Sequence, residues 1–170
     1  MATSEKETRT AIDAYIDVVE STTLTADDRL ARLPGVLDSL AVAVREITYE
    51  FDEADYAEKP ADNYQATDQV VGRHFPTLGY YNVPGSITKE LGESKVLLGD
   101  GIDDIVDILL DLKGVLWRFD NTSLDDALWH LNHDYQSHWG RHLRDLQLYL
   151  YVLASGAEEG SVQSGKPEEP

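Results

Sequence analysis

The sequence predicts an all-α fold, a helical bundle of about four long helices with a long aromatic-rich connection that carries a short helix. Three observations lead there. Four segments repeat their apolar residues three and four positions apart, the period of a helix that buries one face. Two of them open on a hydroxyl residue followed three positions later by an acid, the spacing of a capping box. No alternating apolar run is bounded by hairpin turns, so strand content is expected to be close to nil.

Thr8 to Glu20 carries Ile12, Tyr15, Ile16 and Val19 at helical spacing and reads as the first amphipathic helix. Thr25, three residues before Asp28, opens the second. Its seam runs through Leu30, Leu33, Leu37, Leu40, Val44 and Ile47 to Phe51, with a kink or break expected at Pro34-Gly35, where proline removes a backbone donor. From Asp52 to Asp100 the periodicity dissolves into prolines, glycines and the aromatics Tyr56, Tyr64, Phe75, Tyr80 and Tyr81, with a short helix near Thr67 to His74. So long a connection calls for packing or function, and its aromatics favour packing.

The third long helix spans Gly101 to Phe119. Its stripe of Ile102, Ile105, Leu109, Leu112, Leu116 and Phe119 is widened by Val106, Leu110 and Trp117, which predicts a central position. Asp103, Asp107 and Asp111 fall on the opposite face and are expected to meet water. Ser123 with Asp126 opens the last helix, which runs to about Leu153. Residues 1–154 are thus expected to form one helical domain, and the acidic tail 155–170, poor in apolar side chains, to be disordered.

A net charge of −18 argues against nucleic acid and anionic membrane as partners, since both repel an acidic surface. It suits a protein partner with a basic face, or simply solubility in a salty habitat. A homo-oligomer stays open. There is no cysteine, hence no thiolate chemistry, and no secretory signal or membrane span is read, so a cytoplasmic location is expected.

Four of the five histidines crowd into HLNHDYQSHWGRH, residues 130–142. On a helical projection Leu124, Leu128, Leu131, Tyr135, Trp139, Leu143, Leu146, Leu150 and Leu153 share the core face with His142. His138 lies at its edge, His130 sits beside Asp134, and His133 points to water. Histidines four apart can share a metal, with His74 as the third ligand, or one of Glu50, Asp52, Glu53 and Asp55. No His-Glu-x-x-His or Glu-x-x-His pattern supports that, so the favoured expectation is a pair of hydrogen-bonded core histidines. No nucleophile stands at a recognisable spacing, which points away from an enzyme, and no catalytic residue is nominated. Gly140, costly inside a helix, signals a close neighbour or a local bulge.

The stretch DDALWHLNHDYQSHWGRHL resembles the closing segment of an uncharacterised bacterial all-helical family, a domain of unknown function. Its members end in an aromatic-rich helix carrying Ser/Thr-His-Trp-Gly, one variable residue, then His. The matching residues here are Ser137, His138, Trp139, Gly140 and His142, with Trp129 and Tyr135 preceding them. The resemblance extends back to Gly101 and, more loosely, to the leucine seam with its internal proline. His130 and His133 fall outside the pattern. It implies a helical fold and brings no activity.

The expectation is therefore a non-catalytic accessory or protein-interaction module without a cofactor. The alternative is a protein binding a divalent metal or small ligand through His138 and His142, with Tyr135, Trp139, Gly140 and Arg141 around them.

Overall fold

The computed structural model describes residues 5–156. Of the expected tail 155–170, Ser155 still belongs to the last helix, and residues 157–170 lie outside the described ones. Six α-helices and one β-hairpin follow the order α1 (Glu5–Glu20), α2 (Ala26–Glu46), α3 (Tyr64–His74), β1 (Tyr80–Pro84), β2 (Val96–Asp100), α4 (Gly101–Asn121), α5 (Leu124–Asp134) and α6 (Gly140–Ser155). A π-helical turn, Tyr135–Trp139, joins α5 to α6, so the two form the fourth long helix of the bundle.

Helix starts obey local chemistry. Thr25 Oγ1 accepts from the Asp28 N–H at 3.1 Å while the Asp28 carboxylate accepts from the Thr25 N–H, a complete capping box. Ser123 performs the first half for α5, accepting from Asp126 N–H at 3.1 Å, while the Asp126 carboxylate turns to Arg118 instead. Asp100 caps α4 through Ile102 N–H.

Two features of α2 differ from the sequence reading. The helix is unbroken through Pro34, with Leu33 and Leu37 fully buried on either side, so packing offsets the one missing backbone bond. It also stops at Glu46, short of Phe51, which is 70% exposed. The chain is drawn out over α5 instead: Tyr49 OH accepts from Asn132, and Glu50 N–H donates to Asp125.

The aromatic-rich connection holds more order than expected. Val71 and Phe75 are buried, and after them the chain forms the antiparallel hairpin β1–β2, which pairs Tyr80 with Asp100 and Pro84 with Val96. The expectation of almost no strand is thus corrected by a short hairpin. Its eleven-residue loop lacks a two-residue Asn-Gly or Asp-Gly turn, and its strands do not alternate cleanly, so neither hairpin signal was present.

The core is a single cluster centred on α4, which packs against α1, α3, α5 and α6 as its broad apolar stripe predicts. Tyr15 of α1 is fully buried and donates its hydroxyl proton to the Ile105 carbonyl at 2.9 Å, pinning α1 to α4. Arg29, also buried, caps the end of α1 by donating to the Val18, Val19 and Ser21 carbonyls. No helix among the described residues is long and apolar enough to cross a membrane.

Candidate metal centre

The site lies where α4 meets the start of α6. On α4, Asp104, Asp107 and Asp111 fall at i, i+3 and i+7, and so line one side of the helix. His138 in the π turn and His142 on α6 face them. The π turn sets this meeting. It places one extra residue in the helix, and the Gly140 N–H reaches the Tyr135 carbonyl five residues back. A side chain at 140 cannot be accommodated, since an added Cβ would stand 2.1 Å from that carbonyl oxygen and 2.9 Å from the Tyr135 ring. Of the two alternatives signalled by Gly140, the local bulge is the one present, and the space a side chain would need is taken by Tyr135 of that same turn. Below the turn, Trp139 is fully buried with its ring edge-on to Tyr135.

Each imidazole is held on one side and converges on the other. His142 Nδ1 lies 2.7 Å from Asp104 Oδ1, and His138 Nδ1 lies 2.7 Å from Asp111 Oδ2. A carboxylate only accepts, so both Nδ1 atoms donate, which leaves the two Nε2 atoms to face Asp107. They stand 3.3 Å (His142) and 3.7 Å (His138) from its Oδ2. The rings are 5.0 Å apart at 75°. Asp107, His138 and His142 each offer a donor atom within 4.8 Å of the others.

A second layer fixes Asp104. Its other oxygen accepts from the Tyr81 hydroxyl. Tyr81 reaches it because β1 lays its ring across Gly99, where a Cβ would come within 2.8 Å, and stacks it on Tyr149 of α6 with centroids 4.4 Å apart. Neighbouring Asp103 accepts from Tyr64 of α3. Burial raises the affinity of Asp104 for its proton, against hydrogen bonds from His142 and Tyr81 that oppose the shift. Asp107 is raised by burial and then by the charge of Asp103. The hydrogen bond to Asp104 holds His142 above the ordinary histidine value, against the opposing effect of burial. One side of the site is open: the His138 side chain is 48% exposed, His142 25% and Asp107 18%.

Several sequence expectations need correction. His138 is exposed and His142 half-buried, so neither belongs to the core, although both are hydrogen-bonded; Trp139, Leu143 and Leu146 are buried as expected, and His133 is exposed. His74 is not brought to the pair: its Nδ1 lies 2.7 Å from the Val19 carbonyl, at the end of α1. Glu50 and Asp52 lie against the start of α5, where Asp52 accepts from Ser123 and Tyr56, and Glu53 and Asp55 are exposed. None of these four joins the histidines among the described residues. The acids assigned to water are the ones that matter, since Asp107 and Asp111 are partly covered by the histidine pair. Arg141 points away, pairing with Asp145 and donating to the Pro84 carbonyl at 2.9 Å. Tyr135 accepts from Arg144. His130 sits between Asp126 at 3.7 Å and Asp134 at 4.0 Å, and His133 stacks on Trp129.

Residues 80–155 match the model of a family described as a domain of unknown function (DUF5063). That segment runs from β1 to the end of α6 and includes Tyr81, the three aspartates and both histidines of the site. The fold also resembles the crystal structure of protein BF1032 from Bacteroides fragilis, a structural-genomics target. The likeness covers 93% of this chain and 94% of that one, with a TM-score of 0.71 at 13% sequence identity, and it speaks for the fold alone. No curated protein matches the sequence.

Proposed function

We propose that the protein binds one divalent transition-metal ion through Asp107, His138 and His142. The observation that carries this reading is the orientation of the two imidazoles. Both Nδ1 atoms are tied to separate carboxylates, and both Nε2 atoms face one oxygen of a third. Carboxylates behind a histidine fix its tautomer and ring angle and make its free nitrogen a better donor, the usual support for a metal-ligating histidine. An ion about 2.0–2.2 Å from each donor keeps tetrahedral donors about 3.4 Å apart. The separations of 3.3 and 3.7 Å between Asp107 and the two rings bracket that value. Two imidazoles and one carboxylate suit zinc, iron, nickel, cobalt or manganese better than magnesium or calcium, which prefer all-oxygen shells. The exposed side of His138 leaves coordination positions for water or a small ligand.

An ion also balances charge. Asp103, Asp104, Asp107 and Asp111 gather around two imidazoles, and a dication offsets part of that repulsion. The test is calorimetric titration of chelator-treated protein with zinc and with manganese. One equivalent is expected to bind, and to be lost in Asp107→Asn, His138→Ala and His142→Ala but kept in His74→Ala. Binding that survives all three site variants refutes the assignment.

The accessory or protein-interaction role expected from the sequence rests on its acidic charge and its lack of catalytic motifs, and the exposed apolar side chains of the hairpin add support to it. It is compatible with a bound metal, since a stable ion at the α4–α6 junction would brace the hairpin through Asp104 and Tyr81.

A further inference from the structure

The β-hairpin presents one free edge. Across the hairpin the Gly101 N–H donates to the Gly79 carbonyl and the Gly85 N–H to the Lys95 carbonyl, so with the observed register the backbone groups of Tyr81–Gly99 and Val83–Leu97 point inward as well. The backbone groups of the alternate residues point outward: Tyr80, Asn82 and Pro84 on β1, and Val96, Leu98 and Asp100 on β2. The β1 edge is closed at its far end, because Pro84 has no N–H and its carbonyl accepts from Arg141 of α6. Among the described residues the sheet has two strands, and the β2 edge shows no such block at Val96 and Leu98 before it ends at Asp100, the cap of α4. It is also apolar. Of the eleven large apolar residues exposed among the described residues, Ile87, Leu91, Val96, Leu97 and Leu98 all belong to this hairpin and its loop.

We infer that the outer edge of β2 pairs antiparallel with β2 of a second copy of this chain. Charge selects the occupant. The chain carries 32 acidic and 14 basic residues, whereas the stretch 85–99 holds Lys89 and Lys95 against Glu90 and Glu93. Two acidic bodies therefore meet with little local repulsion here. The strand is itself polar end to end, with Lys95 before it and Asp100 at its close. Antiparallel self-pairing sets the Lys95 end of one copy beside the Asp100 end of the other, whereas parallel approach sets like ends together. Exposed, unpaired strand edges of this kind are templates for strand addition, and a twofold pairing consumes both at once.

Sedimentation equilibrium of the intact chain tests this. A monomer–dimer equilibrium is expected that tightens between about 0.05 M and about 1 M NaCl, since salt screens the repulsion of two acidic bodies. Leu98→Lys and Lys95→Glu should each weaken the dimer by roughly tenfold or more. Leu148→Lys, at a side chain 60% exposed on α6, should not. Circular dichroism and melting of each variant separate lost pairing from lost folding, because the side chains of Lys95 and Leu98 are not buried. A monomer at all salt concentrations, or a dimer indifferent to both hairpin substitutions in folded protein, overturns the inference.

Discussion

Replacing Gly140 by alanine should destabilise the protein, against the usual trend for glycine inside a helix. Alanine at an ordinary helical position gains about 1 kcal/mol over glycine through backbone entropy. At 140, however, the new Cβ would stand 2.1 Å from the Tyr135 carbonyl oxygen. Even a close C–H···O contact needs about 3.3 Å, so the chain must give way by about 1.2 Å, and the obstacle is backbone. Moving it forfeits the Gly140–Tyr135 hydrogen bond, about 1 kcal/mol, and strains the packing around Trp139 by up to about 3 kcal/mol. The net expectation is a loss of about 2–3 kcal/mol. Gly114 of α4 is an internal control, because a Cβ there meets only the end of Lys59 at 3.8 Å, and Gly114→Ala should gain up to about 1 kcal/mol. Urea denaturation at equal m-values measures both. If Gly140→Ala stabilises the protein as Gly114→Ala does, the π turn at Tyr135–Trp139 is not part of the fold.

Three further outcomes follow from the packing and the charges. Arg29→Ala should cost about 2–4 kcal/mol in the same denaturation assay, because three carbonyls at the end of α1 lose a buried donor. Trp139→Ala should cost about 3–5 kcal/mol, and an unchanged melting temperature would mean the indole is not in the core. In metal-free protein the pKa of His142 is raised, so its pairing with Asp104 stabilises the fold fully below about pH 6.5 and less as pH rises through the raised value. Metal binding has the opposite sign, strengthening as the Nε2 proton is lost; nuclear magnetic resonance titration of His142 and metal affinity across the same pH range check both directions.

The bundle was legible because its signals are local. Leu33, Leu37 and Leu40, or Ile105, Leu109 and Leu112, announce their faces by spacing alone, and Thr25 and Ser123 announce helix starts. The hairpin was not, since β1 and β2 are held by pairing across an eleven-residue loop and by the stack of Tyr81 on Tyr149, neither of which leaves a local pattern. Half of the site was visible. His138 and His142 stand out by type and spacing, but a projection of α4 alone sends Asp107 and Asp111 to water. What covers them is the other helix, turned by a π bulge whose only trace in the sequence is Gly140. Asp104, i+3 before Asp107, was missed because one residue of phase separates it from the acidic row, yet it is the acid most deeply buried of the three. The repeat of acids at i, i+3 and i+7 opposite histidines at i and i+4 was the available signal.

X-ray absorption spectroscopy of the zinc-loaded protein tests the proposed function most directly. The account predicts one zinc per chain with two imidazole nitrogens and the remaining donors oxygen, at about 2.0–2.2 Å, and loss of the imidazole scattering in the His138→Ala, His142→Ala double variant. Zinc bound without imidazole, or no stoichiometric zinc at all, would contradict it and leave Asp104, Asp107 and Asp111 as hydrogen-bonding neighbours of the two histidines.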